Sequence, residues 1–197
     1  MPRLYYIRHG ETDWNAEARL QGQREIPINA KGREQARHCS EILRDLFARD
    51  ALDPAQFDFI ASPLERTRET MQIVRRGLGL DPNAYRVDER LTEISFGTWE
   101  GFTLDELRQL WPAAVDAREA DKWGYTPPEA ESYSTMSLRV IDWYRDLTRD
   151  SVVVAHGGVL RGLLVQLGLS SSAEAPFLDI TQGVVFAIEA DNIARYT

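Results

Sequence analysis

The 197-residue sequence predicts an α/β fold, a three-layer α/β/α arrangement around a mostly parallel central sheet. Two observations carry that prediction. Short β-branched or aromatic runs alternate with segments whose apolar residues recur every three or four positions. Ser151-Val152-Val153-Val154-Ala155 is also apolar without alternation, as a central parallel strand buried on both faces should be.

The elements follow in order. Leu4 to Ile7 is a short aromatic and β-branched run that reads as a strand. Glycine, proline and asparagine punctuate residues 10–29, so that stretch reads as loop with a short helix around Ala16 to Leu20. Asn29 can cap a helix over Lys31 to Arg49, with Ala36, Cys39, Ile42, Leu43, Leu46 and Phe47 along its apolar stripe. Phe57 to Ala61 is a second strand, and Pro63 belongs in the first turn of the next helix. Thr67, Met71, Val74 and Leu78 form that helix's stripe. Arg86 to Asp88 is a weak third strand, and Glu89 to Gly101 is irregular. Leu104 to Trp111 marks a short helix stopped by Pro112, and Ala113 to Trp123 reads as an exposed one. Ser132 can cap a helix to about Leu147, with Met136, Val140, Trp143, Tyr144 and Leu147 inward. Val159 to Leu167 is an apolar helix. Val184 to Glu189 and Ile193 to Tyr196 form a terminal hairpin turned at Asp191-Asn192.

Composition bounds the function. An apolar fraction of 43% and a charged fraction of 27% are ordinary for a globular chain. The length suits a single domain over residues 1–197, with a small lid or insertion at about 102–130. A net charge of −8 argues against nucleic acid as a partner but leaves room for a locally positive pocket. Cys39 is the only cysteine, so no intrachain disulfide forms. No apolar run approaches the ~20 residues that span a bilayer. The strand begins at once, without room for a signal peptide, so the expected location is cytoplasmic with no membrane partner. A homodimer is compatible with the sequence, two-fold dimers being the commonest oligomers.

Polar chemistry collects just beyond strand ends, where open α/β sheets bind ligands. Arg8-His9-Gly10, Ser62 to Arg66 and His156-Gly157-Gly158 all stand there. His38, the third histidine, lies mid-helix and reads as a solvated side chain. Together the groups describe a phosphate pocket. Arg8 and Arg66 offer planar forks that match phosphate oxygens. Gly157 and Gly158 open a helix whose free amides favour an anion. A neutral histidine beside the arginines can attack phosphorus. A second histidine stabilises charge on the transferring group. The leaving alcohol then needs a proton from a carboxyl held protonated. Glu11, Glu89, Glu93 and Glu100 are all near enough in sequence to supply it.

The segment Leu4 to Asn15 resembles the opening motif of the histidine phosphatase superfamily, which includes the phosphoglycerate mutases. Ser62 to Thr70 resembles that family's second arginine motif, Leu91 to Gly101 its proton-donor motif, and Val154 to Gly158 its second histidine motif. Four motifs in order over most of the chain make a specific match. The resemblance implies a phosphoglycerate mutase-like fold and a small phosphomonoester as partner, with no metal and no organic cofactor. It implies His9 as the phosphorylated nucleophile, Glu93 as proton donor, and Arg8, Arg66 and His156 as phosphate-binding residues. Asn15, Gln21, Gly22, Arg68 and Gly157 fall on the substrate side.

Other readings stand beside these. His9, His156 and Glu93 would suit zinc, but neighbouring arginines would repel a cation. Arg68, two residues past Arg66, faces elsewhere on a helix and serves equally as a surface ion-pair partner. Gly157 could merely ease helix–strand packing. A non-catalytic phosphate-binding protein would be expected to have lost His9 or Glu93, and both are present.

Water or a bound hydroxyl can resolve a phosphohistidine, giving a phosphatase or a mutase. The resemblance implies a long basic insertion in mutases that holds a second acidic group. Here Phe102 to Pro128 carries Arg108, Arg118 and Lys122 against Asp105, Glu106, Asp116, Glu119 and Asp121. That acidic, short segment predicts a phosphatase rather than a mutase. The chain departs from the usual pattern at Glu25, Ala130 and Gln182-Gly183, all near the expected substrate side.

Overall fold

The computed structural model describes residues 2–189 and 192–197. Its centre is a six-stranded sheet. Strand β1 spans Leu4–Arg8, β2 Asp58–Ala61, β3 Arg86–Val87, β4 Ser151–Ala155, β5 Val185–Glu189 and β6 Asn192–Tyr196. The order across the sheet is β3-β2-β4-β1-β5-β6. The first four in that order run parallel, and β5 and β6 are antiparallel additions. Asp191, half of the expected terminal turn, lies outside the described residues; the flanking strands pair as a hairpin.

Helix α1 covers Asp13–Ala16, α2 Ala30–Arg49, α3 Glu65–Gly77, α4 Leu104–Leu110, α5 Pro112–Ala120, α6 Tyr133–Arg145 and α7 Gly157–Gln166. Alternate strand residues sort the helices into layers. Tyr5, Ile7, Phe59, Ala61, Val152 and Val154 pack against residues of α2 and α3. Leu4, Tyr6, Ile60, Val153 and Ala155 pack against α6 and α7. Val152, Val153 and Val154 are completely buried, at about 1.5–3 kcal/mol of hydrophobic stabilisation each.

Three local expectations need correction. The first short helix begins at Asp13 rather than near Ala16, because Thr12 and Asn15 form a reciprocal capping box. Pro63 lies outside the helix it was expected to open. Leu64 is the N-cap and lacks a capping side chain, and the Glu25 carboxylate accepts from the Glu65 amide at 2.9 Å instead. Helix α5 is not simply exposed: Val115 and Arg118 turn inward.

Candidate active site

Because β2, β4 and β1 are adjacent and parallel, their carboxyl ends share one rim. Register pairs Arg8 with Ala155 and Ala61 with Val154. His9 continues the ladder, its amide donating to the Ala155 carbonyl at 3.0 Å. The rim therefore places Arg8-His9, Ser62 and His156 together, and α3 brings Arg66 to the same place.

His9 is 3% exposed, and its Nδ1 lies 2.8 Å from the Gly10 carbonyl. A carbonyl only accepts, so Nδ1 carries the proton and Nε2 keeps its lone pair. Burial, then Arg66 and Arg8, push His9 well below the usual histidine range. His156 is pushed the same way by burial, Arg66 and His9. Both rings are therefore neutral at pH 7, with centroids 5.2 Å apart. His156 Nε2 lies 2.7 Å from Ser62 Oγ, while its Nδ1 is buried without a partner among the described residues.

Arg66 is fully buried. Its Nη1 donates to the Arg24 carbonyl and its Nη2 to the Gly22 carbonyl, both at 2.7 Å. Burial pulls its pKa down to about 10, still charged at neutral pH. Arg8 is anchored by one bond, Nη1 to the Ile180 carbonyl at 2.9 Å. The Nε atoms of both arginines are buried and have no partner among the described residues.

Glu93 reaches the same cavity. Its Oε1 accepts from the Ile94 amide at 2.9 Å and its Oε2 from the Gly158 amide at 3.2 Å. Of the four candidate carboxylates, Glu93 alone lines the cavity. Glu11 pairs with Lys31, and Glu100 accepts from the Gln23 and Phe96 amides. The irregular segment carrying Glu93 is held by Arg139, which donates to the carbonyls of Arg90 and Thr92 at 2.7 Å each.

The cavity is about 170 Å³, and Asn15, Gln21 and Gly22 line it. Asn15 Oδ1 accepts from Gln182 at 2.9 Å, and Gln21 accepts from the buried Thr12 hydroxyl at 3.0 Å. Gly22 has φ +51°, and a Cβ there would lie 2.0 Å from the Glu100 carboxylate. Gly157 sits between guanidiniums: its Cβ position is 3.4 Å from Arg161 and 3.6 Å from Arg8.

Arg68 is not brought to the cavity. It is exposed, in a separate cleft with Glu25, Glu65 and Glu69. His38 is likewise on the surface. Arg161, Tyr133, Phe96 and Arg19 line the cavity without having been anticipated. Arg161 had a signal, being the only charge in the apolar helix α7. Trp123 stacks behind Tyr133 with ring centroids 5.9 Å apart. Larger clefts of about 430 and 550 Å³ lie away from the histidines, around Phe59 and Arg75 and between α2 and α3.

The chain was compared with known proteins. Residues 4–192 match the family model described as the histidine phosphatase superfamily, branch 1. Escherichia coli "Probable phosphoglycerate mutase GpmB" is 36% identical over 189 residues, covering 88% of this chain and 79% of that protein. The structure of Bacillus stearothermophilus YhfR superposes with a TM-score of 0.78 at 30% identity, covering 96% of this chain and 91% of that one. Mycobacterial glucosyl-3-phosphoglycerate phosphatase gives a TM-score of 0.78 at 28% identity, covering 94% and 89%. Over nearly its whole length, with the sheet, the two neutral histidines and the arginines in place, this chain belongs to the histidine phosphatase superfamily.

Proposed function

We propose that this protein hydrolyses small phosphomonoesters through a phosphohistidine formed on His9. The observation that carries the reading is a set of three buried polar atoms without a partner among the described residues: Arg8 Nε and Arg66 Nε in the cavity wall with His9, and Nδ1 of His156, whose ring lies against that of His9. Buried polar groups normally find partners, and a phosphoryl group's oxygens would satisfy all three. Family membership and the phosphatase among the similar structures support the same reading.

The chemistry balances as two displacements. His9 Nε2 attacks phosphorus while the ester P–O bond breaks. The leaving oxygen takes a proton from the Glu93 carboxylic acid. A water molecule then attacks the phosphohistidine and gives its proton to the Glu93 carboxylate as the P–N bond breaks. The arginines and His156 hold the charge that builds on the equatorial oxygens. Asn15, Gln21 and Gly22 bound the substrate, and residues 102–130 act as a lid on a single domain. No step calls on a metal ion, and excess EDTA should leave the rate unchanged. The lone buried Cys39 suits a cytoplasmic site of action.

A second reading, mutase-type transfer to a bound hydroxyl, is favoured by the name of the 36%-identical relative. A panel of phosphomonoesters scored by phosphate release separates the two, alongside conversion of 3- to 2-phosphoglycerate. Hydrolysis of p-nitrophenyl phosphate without that conversion supports the phosphatase. Efficient conversion by phosphorylated enzyme overturns it.

A further inference from the structure

One corner of the sheet is left unfilled. β3 is two residues long and pairs only with Ile60 and Ala61. Asp58 and Phe59, at the start of β2, therefore have no strand partner on that side among the described residues. A cleft of about 430 Å³ opens there. That size is within the roughly 300–1,000 Å³ of typical ligand pockets. Pro54, Phe57, Phe59, Leu80, Ala84 and Tyr85 give it apolar walls, and Arg75 and Arg86 add charge. The cleft lies at the opposite end of β2 from Ser62, about 13 Å away at ~3.3 Å per residue. It shares no lining residue with the His9 cavity.

Arg75 is the side chain that packing alone does not explain. It stands in the last turn of α3 and is only 6% exposed. Its guanidinium carbon lies 4.4 Å from the centre of the Phe59 ring, an attractive cation–π distance. Its Nε donates to the Asp81 carbonyl at 2.7 Å. These two contacts fix the plane of the fork. Nη1 and Nη2 have no hydrogen-bond partner among the described residues, and no carboxylate there stands within ion-pair distance of them. The neighbouring acids are engaged elsewhere. Asp81 accepts from the Asn83 amide at 2.9 Å, and Asp58, in the cleft wall, pairs with Arg149 at 3.1 Å. A cation so far withdrawn from water without a counter-ion is costly, and a bound anion would offset that cost.

The shape of the site narrows the anion. With Nε occupied, the fork offers its two Nη groups side by side, which matches the two oxygens of a carboxylate. Arg86 is exposed, so the buried charge is a single one and suits a monoanion. The apolar walls call for an apolar body behind the acid. We infer that this cleft is a second ligand site, separate from the His9 cavity, and that it takes a small aromatic carboxylate. The acid group sits on Nη1 and Nη2 of Arg75, and the ring lies among Phe57, Leu80 and Tyr85. The site does not depend on which reaction His9 performs.

The test titrates the full chain with phenylacetate, followed by backbone amide NMR. Phenylacetate should move the amides of Phe57, Leu80 and Tyr85 and leave those of His9, Gly10 and Gly157 in place. Phenylacetamide, which lacks the charge, and acetate, which lacks the ring, should each bind at least tenfold more weakly. Arg75→Met should abolish the shifts, and Arg75→Lys, which keeps the charge without the fork, should weaken binding at least fivefold. Ala84→Trp fills the cleft from an exposed position and should block binding in a folded protein, which decides the matter even where Arg75→Met fails to fold. No shifts at millimolar phenylacetate, shifts at the His9 cavity instead, equal binding of phenylacetamide, or binding unmoved in folded Ala84→Trp overturns the site. Phenylphosphonate binding tenfold more tightly at the same amides overturns the carboxylate and gives the cleft to a phosphoryl group.

Discussion

Ser62 Oγ lies 2.7 Å from His156 Nε2, and both side chains are fully buried at the ends of adjacent strands. Ser62 Oγ also receives the Leu64 amide at 3.5 Å, so its own proton is free for the ring. His156 Nε2 then accepts, and Nδ1–H is left pointing away from Ser62, unpartnered. The serine selects the tautomer that can donate to a phosphoryl oxygen. Ser62→Ala removes that selection and leaves a buried ring nitrogen unpaired, at about 1–3 kcal/mol. Expected is a roughly tenfold or greater loss of kcat with a smaller change in KM, read from steady-state rates. An unchanged kcat would show that the tautomer is fixed elsewhere.

The two buried histidines set a pH dependence. Folding depresses both below the ordinary value near 6.5, so the unfolded chain binds more protons as pH falls. Their contribution is fully present above pH 6.5 and drains away below it, at ~1.4 kcal/mol per pH unit for each ring. Urea titrations between pH 7 and pH 5 should show this slope, and His9→Gln should remove about half of the histidine share. The rate profile should lack an acid inflection near 6.5 from His9, since the ring stays neutral well below that.

Two consecutive glycines should respond differently to alanine. A Cβ on Gly158 would lie 2.4 Å from Glu93 Oε1, displacing the carboxylate from the amide it sits on. Gly157→Ala meets nothing closer than 3.4 Å, an ordinary contact. Expected are a roughly hundredfold fall in kcat for Gly158→Ala and a change of a few fold for Gly157→Ala, both proteins folded by circular dichroism. Equal effects would mean that Glu93 does not need its place above α7.

Arg139 ties down the segment that presents Glu93, bonding backbone carbonyls and pairing with Glu131 at 2.9 Å. Arg139→Met frees those carbonyls. Loss of charge-assisted bonds of about 1.5–3 kcal/mol should lower Tm by roughly 4–10 °C and kcat at the same time. Lysine, lacking the fork, should restore only part of either. A lowered Tm with full kcat would separate the segment's stability from the placement of Glu93.

The centre of the sheet was readable because Leu4 to Ile7 and Ser151 to Ala155 are short, unbroken runs of aromatic and β-branched residues. The histidines were readable because a strand end is a sequence position. Arg66 and Arg68 illustrate the boundary. They are two residues apart on one helix, so one is fully buried in the cavity wall and the other solvated. Arg118, Arg139 and Arg161 were not anticipated, because a lone arginine declares its direction only when its helix is docked. The capping of α3 by Glu25, forty residues away in sequence, has no local signature either.

Arg66 has one more consequence, for transplanting specificity between relatives. It grips the chain at two carbonyls, those of Gly22 and Arg24. It reads that loop by its main chain and is indifferent to most of its side chains. A segment grafted into positions 20–28 should keep the chemistry provided that it retains glutamine at 21 and glycine at 22, where φ is +51°, and returns two carbonyls to the same spots. A graft one residue longer or shorter should silence the enzyme even with every side chain around His9 retained.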